Sequence, residues 1–401
     1  MNFEKINETM NSYLDNQEIA CAALIVRKDE KVVYMNKWGF ADAKQKKAVE
    51  YDSIFRMMSM TKPIIAVGIM QLAEQGKLSI NDPITKFIPA FSQIRVSKDI
   101  RFLNNPRLTL DDVSNMAATF NPEELAVELP ERDITLRDIL SHSSGLGQGP
   151  ASMLYMMKKQ NSSKNLAEHA DYFAHSVLDF QPGKGTGYSA AVGFDILTRV
   201  IEVVSNMPAA EYLKKMIFEP LDMQDSCFIL NDEQQSRLVS IWKRENSILV
   251  DVTEACDNAA NSFKAHVEYI SGSGGLFSTI LDYEHFARML CDKGLYNGRR
   301  FLKPETVEAM HTEASVQHME FAPGQKWGIG MRIVDDPQKS GSFVKAGTYG
   351  WSGAYGTHFF ISPSDNLECV LVVNRIDLNG AGSYISMKIE ELVFDVDNLC
   401  C

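Results

Sequence analysis

The sequence predicts an α+β protein with a central antiparallel sheet, built from both chain ends and flanked by helices, and an inserted, mainly helical lobe. Strand patterns with short turns lie near both ends, whereas helical patterns separated by Pro and Gly turns occupy residues from about 90 to 255. At 401 residues the chain exceeds what one core usually supports. We therefore expect a discontinuous sheet domain of residues 1–90 and 256–401 and a mainly helical domain of residues 91–255.

Two pairs of segments predict the hairpins of this sheet. Ala22–Arg27 and Lys31–Met35 flank a polar turn near the N-terminus, and Thr357–Ile361 and Leu367–Val373 flank another near the C-terminus. Such short connections join antiparallel strands, because parallel strands need a long crossover. Helical spacing of apolar residues predicts a helix over Phe194–Ser205 in the middle and a closing helix over 387–394.

Composition restricts the classes of partner. The net charge of −12 argues against nucleic acid or an anionic membrane, since both bind basic surfaces. Residues 1–16 are polar and amphipathic, so they do not resemble a secretion signal, and no apolar run reaches transmembrane length. These features predict a cytoplasmic protein that acts on small molecules. The sequence sets no oligomeric state.

The cysteines and histidines predict neither disulfides nor a metal. Seven cysteines are widely spaced with no Cys-x-x-Cys, so we expect reduced thiols. Cys400 and Cys401 sit at a chain end, where fraying is expected and an intermolecular disulfide is the alternative. Neither a metal-binding histidine spacing nor a phosphate or dinucleotide loop is present, so no cofactor is expected.

Ser59-Met60-Thr61-Lys62 is the first candidate catalytic feature. Residues three positions apart share one face of a helix, so the Ser59 hydroxyl and the Lys62 amine are expected to meet. A serine becomes a nucleophile when a neighbouring base takes its proton, and a desolvated lysine can be that base. The apolar run that follows, residues 64–73, predicts a buried helix that supplies this desolvation. A simple helix N-cap is the alternative interpretation of Ser59.

Ser-x-x-Lys alone is a weak signal, because it occurs three times. The tetrads beginning at Ser240 and Ser342 lack a helical apolar run behind them. We therefore expect both in surface strands or loops.

Two further segments carry residues that a serine-lysine site needs. Tyr188 lies in a glycine-rich loop before a helix, and a phenol beside a cationic lysine is biased toward the phenolate, a general base; a tyrosine of the core or its rim is the alternative. The edge 350–356 is dense in glycine, and an amide there, opposite the amide of Ser59, could form an oxyanion hole. A β-bulge or hairpin bend is the alternative for this edge.

The order of Ser59-Met60-Thr61-Lys62, Tyr188-Ser189-Ala190 and Trp351-Ser352-Gly353 resembles the serine β-lactamase and penicillin-binding-protein superfamily, on its class C side. The likeness is strongest to the family VIII carboxylesterases and related acyltransferases of polyketide maturation. It spans nearly the whole chain and includes segments 134–146 and 274–287, which look like marker segments of the family.

This resemblance implies the β-lactamase/transpeptidase-like fold, with the active site between the two domains. It implies a nucleophilic Ser59, with Lys62 and Tyr188 sharing the proton transfers, and an oxyanion hole from the amides of Ser59 and Ala354. Residues 351–354 would then form the substrate-binding edge. His142 lies in a segment that is a structural turn in the family, and His358 is expected on a strand, in packing or at the surface.

Departures from the antibiotic-degrading pattern favour an esterase. Trp351 replaces the lysine of Lys-Thr-Gly, and Ala190 replaces an asparagine that could bind a substrate amide. Lys345-Ala346-Gly347 remains a fallback for the third motif, and Ser364-Asp365-Asn366 is explained as a turn. The leading prediction is a serine acyl hydrolase of small esters or amides. The alternatives are an acyltransferase or transesterase, a β-lactamase or D-amino-acid peptidase, and a non-catalytic receptor with this fold.

Overall fold

A computed structural model describes residues 3–42, 44–99, 115–117, 119–159, 161, 163–257, 270–312 and 319–394. Runs of strands and runs of helices follow one another along the chain, and most of the long helices pack against the sheet or against each other. The helices with defined bounds are α1 Phe3–Asp15, α2 Thr61–Glu74, α3 Leu136–Leu140, α4 Pro150–Lys158, α5 Leu166–Ala174, α6 Gly193–Ser205, α7 Ala209–Leu213, α8 Asp232–Ser236, α9 Thr253–Asp257, α10 Ile280–Cys291, α11 Pro304–His311, α12 Pro337–Ser340 and α13 Tyr384–Phe394.

The strands contribute one large sheet and several small ones. They are β1 Cys21–Lys28, β2 Lys31–Asp42, β3 Lys47–Ala48, β4 Phe55–Arg56, β5 Arg95–Ser97, β6 Val127–Glu128, β7 Val177–Leu178, β8 Trp242–Glu245, β9 Ile248–Asp251, β10 Phe277–Ser278, β11 Leu295–Tyr296, β12 Arg299–Arg300, β13 Gln325–Trp327, β14 Arg332–Val334, β15 Tyr349–Ser352, β16 His358–Ser362 and β17 Leu367–Val373.

The large sheet runs in the order β13-β14-β15-β16-β17-β1-β2-β3, and each neighbouring pair in it is antiparallel. Both predicted hairpins, β1–β2 and β16–β17, are present, and they meet where β17 pairs with β1. The predicted α+β class, with a central antiparallel sheet made from both chain ends, is confirmed. The domain boundaries near residues 90 and 255 stay a prediction.

Each face of this sheet is covered by helices because its central strands are apolar on both faces. On one face, Ala23 and Ile25 of β1 belong to a core shared with α2, α6 and α10. On the other face, Ala22 and Leu24 belong to a core shared with α1 and α13. The closing helix predicted over 387–394 is therefore α13, and it begins three residues earlier.

Helix α2 is enclosed over nearly its whole length. Every residue from Thr61 to Leu72 is buried, and a Cβ added at Gly68 would lie 3.1 Å from Ile201 of α6. The enclosure predicted from its apolar sequence is confirmed. Lys62, in the first turn, is consequently fully buried.

Two further features concern the state of the cysteines and the length of the apolar helices. Cys21, Cys227, Cys256, Cys291 and Cys369 are free, whereas the pair at positions 400 and 401 lies outside the described residues. Among the residues that the structure describes, no helix has both the length and the apolar character that a bilayer crossing requires.

Candidate active site

Ser59 lies in a single 3₁₀ turn, Met58–Met60, immediately before α2. Met58 has a φ of +51°, and its neighbour Met57 is fully buried, whereas Ser59 is partly exposed. The N-cap of α2 is Met60 and has no side-chain cap hydrogen bond, so the helix-cap interpretation of Ser59 is wrong. Ser59 instead lies at the boundary between the buried helix and the protein surface.

The turn that carries Ser59 is anchored by the segment around residues 276–283. The amide of Met57 donates to the carbonyl of Leu276 (2.9 Å), and the amide of Leu276 donates to Thr61 Oγ1 (3.1 Å). The Tyr283 hydroxyl donates to the carbonyl of Met60 (2.8 Å). Through these bonds, segment 274–287 holds the backbone on both sides of Ser59.

Lys62 points its amine at Ser59 inside the protein. Its Nζ lies 3.2 Å from Ser59 Oγ, and it donates to the carbonyl oxygens of Ala190 (2.9 Å) and Ser273 (2.7 Å). A neutral amine has two hydrogens and one lone pair. Because the two carbonyls accept both hydrogens, the lone pair is left facing the serine hydroxyl, as proton abstraction requires.

Burial also brings the Lys62 amine to neutrality near physiological pH. Desolvation lowers the pKa of Lys62 to about 7, while the negative charge of Asp195 opposes that shift. Asp195 is itself buried, and its Oδ1 accepts hydrogen bonds from Ser271 Oγ (2.9 Å) and the amide of Ser273 (2.8 Å). Asp195 therefore acts on Lys62 in two ways, through its charge and by holding the loop that supplies the Ser273 carbonyl.

Asp195→Asn is expected to shift the acid limb of the kcat/KM profile to lower pH by about 0.5 unit or more. The asparagine keeps an oxygen acceptor for Ser271 and Ser273 but removes the charge that raises the pKa of Lys62. The measurement is the pH dependence of p-nitrophenyl butyrate hydrolysis. Asp282→Asn is the control, since Asp282 is also buried and bonded to a serine, Ser226. An unmoved limb in Asp195→Asn would contradict this role.

Tyr188 closes the other side of the serine hydroxyl. Trp351 Nε1 donates to the Tyr188 hydroxyl (2.9 Å), and the amine of Lys62 lies 4.9 Å from the centre of the tyrosine ring. Burial raises the pKa of Tyr188 well above its usual value, although hydrogen bonds with Ser59 and Trp351 act in the opposite direction. The phenol is therefore protonated at neutral pH. The phenolate that we expected presupposed a cationic Lys62, but burial favours the neutral amine.

His142 supports Tyr188 from behind. The amide of Ser189 donates to His142 Nδ1 (3.1 Å), and the imidazole packs 4.7 Å from the ring of Tyr188 and 4.5 Å from that of Trp327. Full burial lowers the pKa of His142 well below its usual value, and the ammonium form of Lys62 acts in the same direction. A neutral, enclosed imidazole that binds backbone agrees with the expected structural turn.

The substrate-binding edge is divided between two faces of the sheet. Trp351 faces the α2 side, but the adjacent Ser352 faces the opposite core, because successive residues of a strand alternate. The Ser352 side chain consequently does not line the site. The amide of Gly353 is bonded to the carbonyl of Thr357 (2.8 Å), whereas Ala354 is partly exposed and, in the described part of the chain, its amide meets no acceptor.

The lysines of the other Ser-x-x-Lys tetrads lie at the surface. Lys243 on β8 pairs with Glu245, and the exposed Lys345 pairs with Asp365. The exposed position of Lys345 favours residues 351–353 over residues 345–347 as the third motif. Asn366 has a φ of +48° after a 3₁₀ turn, which confirms that residues 364–366 form a turn.

Comparison with known proteins identifies the family of the chain. The family model described as Beta-lactamase matches residues 6–393. The chain belongs to the beta-lactamase family. It is 28% identical to Protein Rv1367c of Mycobacterium tuberculosis over 94% of this chain and 90% of that protein. It is 25% identical to Esterase EstB of Burkholderia gladioli over 97% and 94% of the two chains.

A solved structure shows the same fold across the whole chain. EstCE1, described as a hydrolase with promiscuous acyltransferase activity, superposes with a TM-score of 0.76 at 22% identity and covers 98% of each chain. The expected β-lactamase/transpeptidase-like fold is thereby confirmed. The beta-lactamase family comprises serine hydrolases, among them esterases and carboxypeptidases.

Several contributors to the site could not have been chosen from sequence. The carbonyls of Ala190 and Ser273 act through the backbone, so their side chains give no signal. Asp195 had one available signal, a buried-face carboxylate in the first turn of an amphipathic helix, seven residues after Tyr188.

Proposed function

We propose that the protein is a serine acyl hydrolase of the carboxylesterase type that works through an acyl-enzyme on Ser59. The observation that carries this proposal is the buried amine of Lys62, which lies 3.2 Å from Ser59 Oγ and donates to the carbonyls of Ala190 and Ser273. In the neutral amine these two donations leave the lone pair for Ser59. This arrangement has no evident structural value, because burying an amine costs free energy. It is what a serine nucleophile needs.

The reaction follows from the positions of these groups. Ser59 Oγ attacks the ester carbonyl carbon while Lys62 Nζ accepts the serine proton. The amides of Ser59 and Ala354 donate to the oxyanion of the tetrahedral intermediate. The intermediate collapses to the acyl-enzyme, and the leaving alkoxide is protonated by the Tyr188 hydroxyl, which recovers its proton from the Lys62 ammonium. Water then attacks the acyl-enzyme by the same steps and releases the acid.

The walls of the site favour neutral acyl groups. Trp351 stands between Tyr188 and Trp327, with ring centres 5.1 and 4.4 Å away, and Phe321 adds a fourth ring 6.2 Å from Trp351. An indole at this position attracts an apolar chain by the hydrophobic effect and supplies no cation for a substrate carboxylate. We therefore propose short carboxylic esters as substrates in preference to β-lactams or D-amino-acid peptides.

A transferase is the second candidate, and one comparison favours it. EstCE1 is described as having acyltransferase activity, and the same acyl-enzyme would serve both reactions. The choice between hydrolysis and acyl transfer depends on whether water or a bound alcohol attacks the acyl-enzyme.

The wild-type protein is expected to hydrolyse p-nitrophenyl butyrate and to leave nitrocefin, a chromogenic β-lactam, unchanged at the same enzyme concentration. Parallel assays with added butanol or benzyl alcohol separate the two candidates. Equal release of nitrophenol and butyric acid indicates a hydrolase, whereas nitrophenol in excess of acid, with formation of a new ester, indicates transfer. Rapid nitrocefin hydrolysis without ester turnover would contradict the proposal.

A further inference from the structure

A serine–histidine–acid arrangement, separate from the Ser59–Lys62 site, lies on the opposite face of the sheet. Ser352 Oγ lies 2.8 Å from His358 Nδ1, and His358 Nε2 lies 3.2 Å from Glu390 Oε1. Glu390 also meets Arg332 at 3.3 Å. All four side chains are buried. The Glu390 carboxylate faces His358 Nε2 as an electrostatic contact, and Ser352 Oγ shares a hydrogen bond with His358 Nδ1 whose direction is set by the tautomer of the imidazole.

This arrangement matches a hydrolase triad in its residue types but not in its location. Only 3% of Ser352 and 1% of His358 is exposed, and both lie against the core beneath α13. A substrate carbonyl therefore has no route to Ser352 Oγ. The cost of burying these polar groups has to be explained by something other than nucleophilic catalysis.

The network joins the elements that bear the oxyanion segment. Ser352 and His358 are direct partners across the β15–β16 ladder, and Arg332 of β14 pairs with Gly350 of β15. Glu390 comes from α13. Three neighbouring strands and the closing helix are thus tied together at the end of β15, next to Gly353 and Ala354.

The loop that follows β15 has little freedom to adjust. A Cβ at Gly353 would lie 2.3 Å from the carbonyl oxygen of Met57, two residues before Ser59. Thr357 Oγ1 donates to that same carbonyl (3.1 Å). The loop and the nucleophile turn are therefore in direct contact, and a small shift of β15 changes the position of the Ala354 amide relative to Ser59. Misplacement of a catalytic donor by about 1 Å can cost about a hundredfold in rate.

We propose that Ser352, His358 and Glu390 form a buried positioning relay that fixes the Ala354 amide relative to Ser59. None of the three touches substrate. They act through the strand that connects them to the loop, and α13 supplies the outer anchor. The inference rests on the proposed acyl-enzyme function, since it assigns the relay to the oxyanion hole of that reaction.

The test compares Ser352→Ala and Glu390→Gln with a matched control, Ser362→Ala. Ser362 is also a buried serine, and it lies on the same face of β16 as His358. It is four residues, or about 13 Å, further along the strand, where its hydroxyl bonds to Asp365. Three properties are measured for each variant: the kinetics with p-nitrophenyl butyrate, inhibition by butylboronic acid, and thermal unfolding. The boronic acid forms a tetrahedral adduct with the serine and places an oxygen in the oxyanion hole.

Both relay variants are expected to lower kcat at least about fivefold with KM within twofold of wild type, and to weaken boronic acid inhibition by a similar factor. Ser362→Ala is expected to keep wild-type kinetics at a comparable loss of Tm. Relay variants that match the control, or that lose kcat without losing affinity for the boronic acid, would overturn the inference while the acyl-enzyme function stands. Wild-type protein that neither turns over the ester nor binds the boronic acid would overturn both. If Ser352→Ala does not fold, Glu390→Gln decides alone.

Discussion

Ser59→Ala is expected to lower p-nitrophenyl butyrate hydrolysis by at least about a thousandfold, since removing the nucleophile leaves only binding and the oxyanion hole. The fold should be unchanged. Ser59 is partly exposed and caps no helix, so its hydroxyl has no structural task that alanine would fail to perform. Steady-state hydrolysis and thermal unfolding of the purified variant check both expectations.

Ser240→Ala is the matched control for this substitution. Ser240 begins another Ser-x-x-Lys tetrad, but its lysine, Lys243, is paired with Glu245 at the surface. We expect wild-type activity in that variant. If Ser59→Ala retains turnover, or if Ser240→Ala loses it, the nucleophile has been assigned wrongly.

Lys62→Met is expected to lower the same activity by at least about a thousandfold, because methionine fills a similar volume but cannot accept the serine proton. The variant also tests the charge state of Lys62 without using activity. In the unfolded chain Lys62 stays protonated up to its ordinary pKa of 10.5, whereas in the fold its pKa is about 7.

Between these two values the unfolded state holds one more proton than the folded state, so stability rises with pH. Relative to Lys62→Met, the wild-type free energy of unfolding should therefore increase by up to about 1.4 kcal/mol per pH unit between pH 7.5 and 9.5. Below pH 7 the lysine is protonated in both states, and this relative gain vanishes. Denaturant unfolding at several pH values measures the difference.

Lys243→Met is the control for the lysine substitution, as Lys243 is surface-paired and should give no such slope. A pH-independent difference between wild type and Lys62→Met would contradict a neutral lysine in the fold. Wild-type activity in Lys62→Met would contradict its role as the base.

The elements that could be predicted from sequence are those with a strong local pattern. The hairpins β1–β2 and β16–β17 and the helices α2, α6 and α13 combine a clear apolar period with turn residues at their ends. Strands β13 and β14, of three residues each, are too short to show a period, so their places in the sheet depend on pairing with β15.

For the site, sequence supplied residue types but not their environments. The neighbourhood of Ser59 and Lys62 follows from helical spacing, and their contact is present at 3.2 Å. The expected phenolate at Tyr188 failed because the ionisation of Tyr188 depends on burial, which is created by rings distant in sequence, such as Trp351 and His142. Ser352 was expected at the substrate edge, but the alternation of β15 turns its side chain into the opposite core.

The most direct measurement is covalent labelling of the wild-type protein with a fluorophosphonate, followed by peptide mass spectrometry. We expect one equivalent of label on Ser59, lost in Ser59→Ala and retained in Ser240→Ala, and a labelling rate that rises with pH through about 7 as Lys62 becomes neutral. Folded protein that takes up no label, or that takes it up on another serine, would contradict the assignment of Ser59 as the acylated nucleophile.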